Sequence, residues 1–249
     1  MRYFAYLEFD GTAYCGWQIQ PGEASVQQCI EDALFTFLRC KVAVTGAGRT
    51  DAGVHASQMV AHFDLDGDRD CVWLKSKLNG ILPADIAIQR IVRVRPDAHA
   101  RFDAVRRTYR YCVSLEKSAF ERSHSWYLPN RPDFELMNEA AAVLLQTVDF
   151  TSFSKLHTQT KTNNCRVDRA FWSELDDGRW VFEISADRFL RNMVRAIVGT
   201  LMKVGRHQMD IAEFRDVVSS RDRCKAGDSA PAHGLFLACV EYPDDIFIE

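Results

Sequence analysis

The sequence predicts an α+β protein whose strands pair mainly antiparallel. Strand-like segments outnumber helical ones along its 249 residues, a balance that favours α+β over a doubly wound fold. Hairpins recur, and the clearest joins the alternating runs 171–175 and 180–184 around Asp176-Asp177-Gly178-Arg179. Both halves also carry similar strand–helix–strand content, which sets a boundary near 100–105 and suits one large domain or two small ones.

Residues 2–9 alternate, with Tyr3, Ala5, Leu7 and Phe9 on one side and Arg2, Phe4, Tyr6 and Glu8 on the other. The first strand is therefore expected to bury one face. Asp10-Gly11-Thr12 ends it as a turn. Ser25 with Gln28 three residues on has the form of a capping box. Behind it Val26, Ile30, Ala33, Leu34, Phe37 and Leu38 keep helical spacing. Residues 42–45 and 58–65 read as strands flanking the glycine-rich stretch 46–53. A short helix over 71–79 runs into Gly80 and Pro83. Residues 86–94 are extended, as are 104–115, where Val105, Tyr109, Tyr111, Val113 and Leu115 share a side. Asp133 caps a helix to about Gln146. A last long helix fills 188–204, and a shorter one begins after Asp210.

The chain is 47% apolar and 26% charged, which excludes disorder as its main state. A formal charge of −3 excludes a bulk-basic nucleic-acid binder, though not one with a local basic stripe. The eight cysteines, at 15, 29, 40, 71, 112, 165, 224 and 239, form no C-x-x-C and no zinc spacing. There is no apolar run long enough to span a membrane. With no charged-then-apolar leader either, the thiols are expected to be reduced and the protein cytoplasmic. Metal is not expected. The histidines at 55, 62, 99, 124, 157, 207 and 233 form no H-E-x-x-H, and His55 and His62 read as strand-flank or core residues. No G-x-S-x-G is present.

Three stretches could carry chemistry. The first is Gly46-Ala-Gly-Arg-Thr-Asp-Ala-Gly-Val-His55, whose glycines permit a tight turn with positive φ and close approach of a ligand. It is a poor phosphate cradle, because Asp51 stands where a dinucleotide fingerprint needs Gly and Val54-His55 where a P-loop needs Lys-Ser/Thr. Asp51 either bonds its own turn backbone or is a carboxylate kept ionised by a cation and used as nucleophile or base. The second is the helix over 188–204. Arg188, Arg191 and Arg195 would fall within about 60° of one another on it, and with Lys203 they give +4 and no acid. Solvated helices usually mix signs, so this stripe favours an anion-binding surface.

The third stretch, 90–110, holds seven arginines against Asp97 and Asp103, for +5. Arginine both forks onto phosphate and stacks on bases. Alternation puts Arg107, Tyr109 and Tyr111 on one strand face, which is either a sheet face with core tyrosines and rim arginines or a surface for unstacked RNA bases. Acids gather at the other end: residues 241–249 hold Glu241, Asp244, Asp245 and Glu249 and no base.

Five blocks together resemble the tRNA pseudouridine synthase A family. Gly46 to Ala56, followed by Val60-Ala-His-Phe63, resembles its signature. Phe9-Asp10-Gly11-Thr12-x-Tyr14-x-Gly16-Trp17-Gln18 is similar to its opening motif, with Phe9 where Tyr is common. Ala100-Arg-Phe-Asp-Ala-x-x-Arg-Thr-Tyr-Arg-Tyr111 resembles its central strand. Phe189-Leu-x-x-Met-Val-Arg195-x-x-Val-Gly199 resembles its C-terminal helix, and Ala230-Pro-Ala-His-Gly-Leu235 its last block. One departure is Gln58-Met59, where the family often carries Gly-Gln. The blocks span residues 9 to 235, and their joint occurrence is far more specific than one glycine-rich turn.

The resemblance implies conversion of uridine to pseudouridine at positions 38, 39 and 40 of the tRNA anticodon arm. It implies two RRM-like halves, 1–104 and 105–249, with joined sheets and a catalytic cleft between them. The tRNA would lie across a homodimer, with no cofactor and no metal. Asp51 would attack the target nucleotide as its N-glycosidic bond breaks. Arg195 would pair with Asp51 and lower its pKa, Arg49 would shape the loop and extrude the base, and Tyr109 would stack on the flipped uracil. Arg101, Arg107, Arg110, Arg188 and Arg191 would be phosphate contacts. Two rivals stand beside this reading. An RNA-binding module without catalysis would have no need of Asp51, whose charge costs phosphate affinity. A nucleotide-phosphate enzyme lacks its Lys-Ser/Thr.

Overall fold

The computed structural model describes residues 1–155 and 162–248; His157 and Glu249 lie outside the described residues. In chain order the elements are β1 (Arg2–Phe9), α1 (Val26–Leu38), β2 (Thr45–Gly46), β3 (His55–Asp64), α2 (Cys71–Asn79), β4 (Ile86–Val94), β5 (Arg106–Ser114), β6 (Trp126–Tyr127), α3 (Phe134–Ala142), β7 (Val167–Glu174), β8 (Trp180–Ala186), α4 (Met193–Gly205), α5 (Ile211–Ser220) and β9 (Leu235–Glu241). The α+β class is borne out: β1 pairs antiparallel with β3 and β4, β2 with β3, β5 with β8 and β7 with β8, while β3 with β9 and β5 with β6 are parallel. The chain forms two compact units, Met1–Val105 with Phe236–Glu249, and Arg106–Leu235. No helix among the described residues is long and apolar enough to cross a membrane.

In the first unit the strands run in the order β4-β1-β3-β9, with β2 on β3. The expectation that β1 buries one face is corrected, because both faces are covered. Phe4 and Tyr6 are buried along with Tyr3 and Leu7. The Tyr242 ring meets Phe4 edge-on at 5.0 Å, and the Arg90 guanidinium lies 3.8 Å over the Tyr6 ring. Residues far along the chain supply this cover, so alternation within β1 could not reveal it. The capping box of α1 is half made. Ser25 accepts from the Gln28 N–H at 3.4 Å, but the Gln28 amide donates to Asp32 one turn on. Asp70 caps α2 through the Trp73 N–H. β3 begins at His55, three residues earlier than alternation indicated, and His55 faces Phe236 of β9. Strand β9 is an element that the sequence expectations lack.

The second unit orders β5-β8-β7, with the short β6 beside the end of β5. The expected hairpin is β7–β8. Its turn closes through Leu175 N–H to Arg179 O (2.7 Å), with Gly178 at φ 80°, a left-handed position that Gly takes without strain. The Phe134 ring of α3 stacks on Trp180 of β8 at 3.8 Å. Beyond Ala142 the chain tightens into a 3₁₀ turn over Val143–Gln146, so the α-helix is shorter than expected. In α5, Asp210 and Glu213 form a complete capping box.

The expected helix over 188–204 is corrected. Helix α4 starts at Met193, because Asn192 sits in the left-handed region at φ 66° and breaks any helix entering from Arg188. Asn tolerates that region better than most residues, and its Nδ2 donates to Ser229 Oγ at 2.6 Å. Arg188 and Arg191 therefore precede the helix, and the three-arginine stripe is not a helical face.

Candidate active site

Gly46 ends β2, and Ala47 N–H donates to Val60 O at 2.7 Å, so the glycine-rich loop leaves from one edge of β3 and returns as its first residue. Val54 N–H donates to Asp51 O (3.1 Å) and closes the turn at the loop tip, with Gly53 at φ 74°. Of the three glycines in the stretch, only Gly53 has positive φ. Gly46 is bare for another reason: the Trp17 ring occupies the place of a Cβ, with the nearest ring atom at 2.5 Å.

The segment 10–18 clamps this loop. Gly11 N–H donates to His55 Nδ1 at 2.9 Å, and Gly53 N–H to Tyr14 O at 3.3 Å. Tyr14 is itself held by its hydroxyl on Asp85 Oδ1 (2.6 Å). At Gly16, φ is +103° and a Cβ would run into the Thr50 carbonyl, so the loop backbone can approach only a glycine. The Asp10 carboxylate lies 3.2 Å from His55 Nδ1. That same nitrogen accepts the Gly11 N–H, so the histidine ties the start of β3 to segment 10–18. Both β3 histidines behave as core residues. His62 is buried, accepts from Ala100 N–H at 3.1 Å, and burial depresses its pKa to about 4, aided by neighbouring His99 and Arg2.

Arg49 and Asp51 stand on this loop, Arg49 exposed and Asp51 half-buried. The Arg49 Nε–H donates to Gln18 Oε1 at 3.2 Å. Nothing local in the sequence ties Gln18 to an arginine 31 residues away. The departure at Gln58-Met59 is accommodated inside the unit: Gln58 Oε1 accepts from Val240 N–H of β9 (3.0 Å) and Met59 is fully buried.

In the second unit, Tyr109 on β5 is half-buried, and Phe189 meets its ring edge-on at 4.9 Å and 80°. Tyr111, on the same face, is core. Its hydroxyl donates to Pro231 O (2.9 Å), and burial pushes its pKa up against the opposing charge of Arg195. Arg195, in the first turn of α4, donates through Nε to Ala230 O at 2.8 Å, while Ala230 N–H returns to Arg195 O at 3.0 Å. The last quoted block, Ala230–Leu235, thus anchors both Tyr111 and Arg195. The sequence alone gives that block no function.

The remaining arginines are placed differently from one another. Arg107 shares the Tyr109 face and donates to Asp187 O at 3.0 Å. Arg110 projects to the opposite face, where it and Arg169 flank Glu183 at 2.8 and 3.1 Å. Arg188 and Arg191 lie in the turn before α4, and Arg188 N–H donates to the Asp187 carboxylate at 2.7 Å. Arg101 sits in the first unit on an exposed loop beside Phe102.

A family model described as tRNA pseudouridine synthase matches residues 5–103 and 140–243. The chain is 58% identical over 250 residues to a tRNA pseudouridine synthase A of Bacteroides thetaiotaomicron, covering 100% of this chain and 93% of that one. It is 55% identical to that of Porphyromonas gingivalis, with 99% of each covered. With that of Treponema denticola the identity is 37%, over 96% of this chain and 92% of the relative.

Proposed function

Because the chain belongs to the tRNA pseudouridine synthase family, we propose that it isomerises uridine to pseudouridine at positions 38, 39 and 40 of the tRNA anticodon stem-loop. The observation that carries this reading is the Arg49–Asp51 loop, hydrogen-bonded to segment 10–18, which sets a carboxylate and a guanidinium on one loop tip. A phosphate cradle would not place a carboxylate there.

In this reading Asp51 is the nucleophile. The N1–C1′ bond of the target nucleotide breaks, the freed uracil turns, and a C5–C1′ bond forms. The hydrogen at C5 leaves as a proton and N1 takes one up, so nothing is oxidised or reduced and no energy donor is consumed. Residues 1–104 supply the aspartate loop, and 105–249 supply the stacking tyrosine and the arginine of α4. Tyr109 stacks on the extruded base, and Arg49 holds the loop and the vacated strand. Arg101, Arg107, Arg188 and Arg191 take phosphates, and Arg110 joins them only by leaving Glu183. The enzyme works as a cytoplasmic homodimer without cofactor or metal.

The test uses unmodified tRNA tritiated at uridine C5, incubated in EDTA with wild type and with Asp51→Asn. Wild type should release tritium and the variant none, with tRNA affinity within about threefold of wild type, since a neutral isostere removes only the carboxylate charge. Silence from wild type on several bound tRNAs would leave an RNA-binding protein. A parallel loss of binding in the variant would remove the nucleophile role.

A further inference from the structure

A chain of half-buried polar side chains runs from Glu31 on α1 to Arg49. At its start Val44 N–H donates to Glu31 Oε1 (3.0 Å). Gln27, one turn before Glu31 on α1 and on the same face, donates its amide hydrogens to Glu31 Oε1 (3.0 Å) and Val44 O (2.9 Å). The Gln27 amide oxygen then accepts from Ile19 N–H (3.2 Å) and from the Gln18 amide (2.9 Å). Gln18 thus turns its own oxygen to the Arg49 Nε–H.

The direction of every link is forced. Val44 O only accepts and Ile19 N–H only donates, so Gln27 can bond both in one orientation alone. The Gln27 oxygen then demands the Gln18 amide nitrogen, which leaves the Gln18 oxygen for Arg49. An inverted Gln18 would set N–H against N–H. This is the only hydrogen bond of Arg49 among the described residues, and it takes Nε while the side chain stays exposed. The two terminal amino groups remain available as a fork, the part of arginine that binds phosphate oxygens in pairs.

We infer that Gln18, Gln27 and Glu31 are positioning residues that hold Arg49 with its terminal fork turned to a backbone phosphate of the RNA. This rests on the proposed action on tRNA. The relay adds no catalytic group of its own. It lowers the conformational freedom that a long exposed side chain would otherwise lose on binding.

The test is a double-mutant cycle read by filter binding of unmodified tRNA, which does not depend on turnover. Gln18→Met and Gln27→Met should each weaken binding about tenfold, the scale of one hydrogen bond to a charged group. In an Arg49→Met background the same changes should cost less than about twofold, because coupled residues are not additive. Equal losses in both backgrounds would make the relay a structural brace of the loop, and no loss in either would remove it. Gln18→Met leaves Gln27 bonded to both Ile19 and Val44, so it decides the matter even where Gln27→Met fails to fold. Tritium release by wild type, measured separately, judges the reaction itself.

Discussion

Phe189 stands edge-on to Tyr109, ring centroids 4.9 Å apart and planes at 80°. A phenol on a strand face can rotate about two side-chain bonds, and a perpendicular neighbour removes much of that freedom. In the proposed reaction Tyr109 receives an extruded uracil, so its ring plane must be set before the base arrives.

Tyr109→Leu should weaken tRNA binding by about tenfold to a hundredfold, the range for losing one base–aromatic stack. Phe189→Leu should keep the stack but loosen its geometry, lowering kcat/KM by about tenfold or less. Filter binding beside tritium release separates the two. An effect of Phe189→Leu as large on binding as that of Tyr109→Leu would mean that Phe189 touches the RNA itself.

Arg195→Lys keeps the charge and loses the planar fork that bonds Ala230 O. Turnover should fall by about a hundredfold or more, whereas urea unfolding should register a loss of about 1–2 kcal/mol for the missing hydrogen bond. Near-normal turnover would confine Arg195 to anchoring the Ala230–Pro231 segment.

At Gly16 the prediction is steric. Gly16→Ala adds a Cβ at φ +103° against the Thr50 carbonyl, and should cost about 2 kcal/mol or more in urea unfolding. The displaced loop carries Arg49 and Asp51, so activity should fall in the molecules that still fold. A variant with wild-type stability and rate would show that segment 10–18 does not hold the loop.

His62 makes stability depend on pH. Its folded-state pKa is about 4 against an ordinary 6.5, lowered chiefly by burial. Between those values the unfolded chain binds the proton that the folded chain excludes, so stability rises with pH through the window and is lost as pH falls through it. The contribution is at most about 3 kcal/mol. Urea titrations from pH 7 to pH 4 should show this slope in wild type and a shallower one in His62→Gln. Equal slopes would assign the dependence to other groups.

How much of this was legible in the sequence varied with the range of the interactions. Helices α2 and α5, strand β4 and the Gly178 hairpin follow from neighbours a few residues apart, through caps, alternation and a turn glycine. The start of α4 did not. Hydrophobic spacing runs smoothly back to Arg188, and only the left-handed Asn192, bonded to Ser229, stops the helix. Nor could alternation in β1 show that Tyr242 and Arg90 cover its second face.

The candidate site divides in the same way. By itself the sequence determined the family, through its marking blocks, and singled out the candidates: Asp51 two residues from Arg49 on a glycine-rich turn, and tyrosines among arginines on a strand. Tertiary structure alone decided how they are held, with Gly16 under Thr50, Gln18 on Arg49, Phe189 on Tyr109 and Ala230 on Arg195. Turn formation and strand alternation depend on local backbone geometry, which short stretches of sequence specify. Orientation of a side chain depends on partners brought close only when the chain folds, and their separation along the sequence leaves no periodic trace.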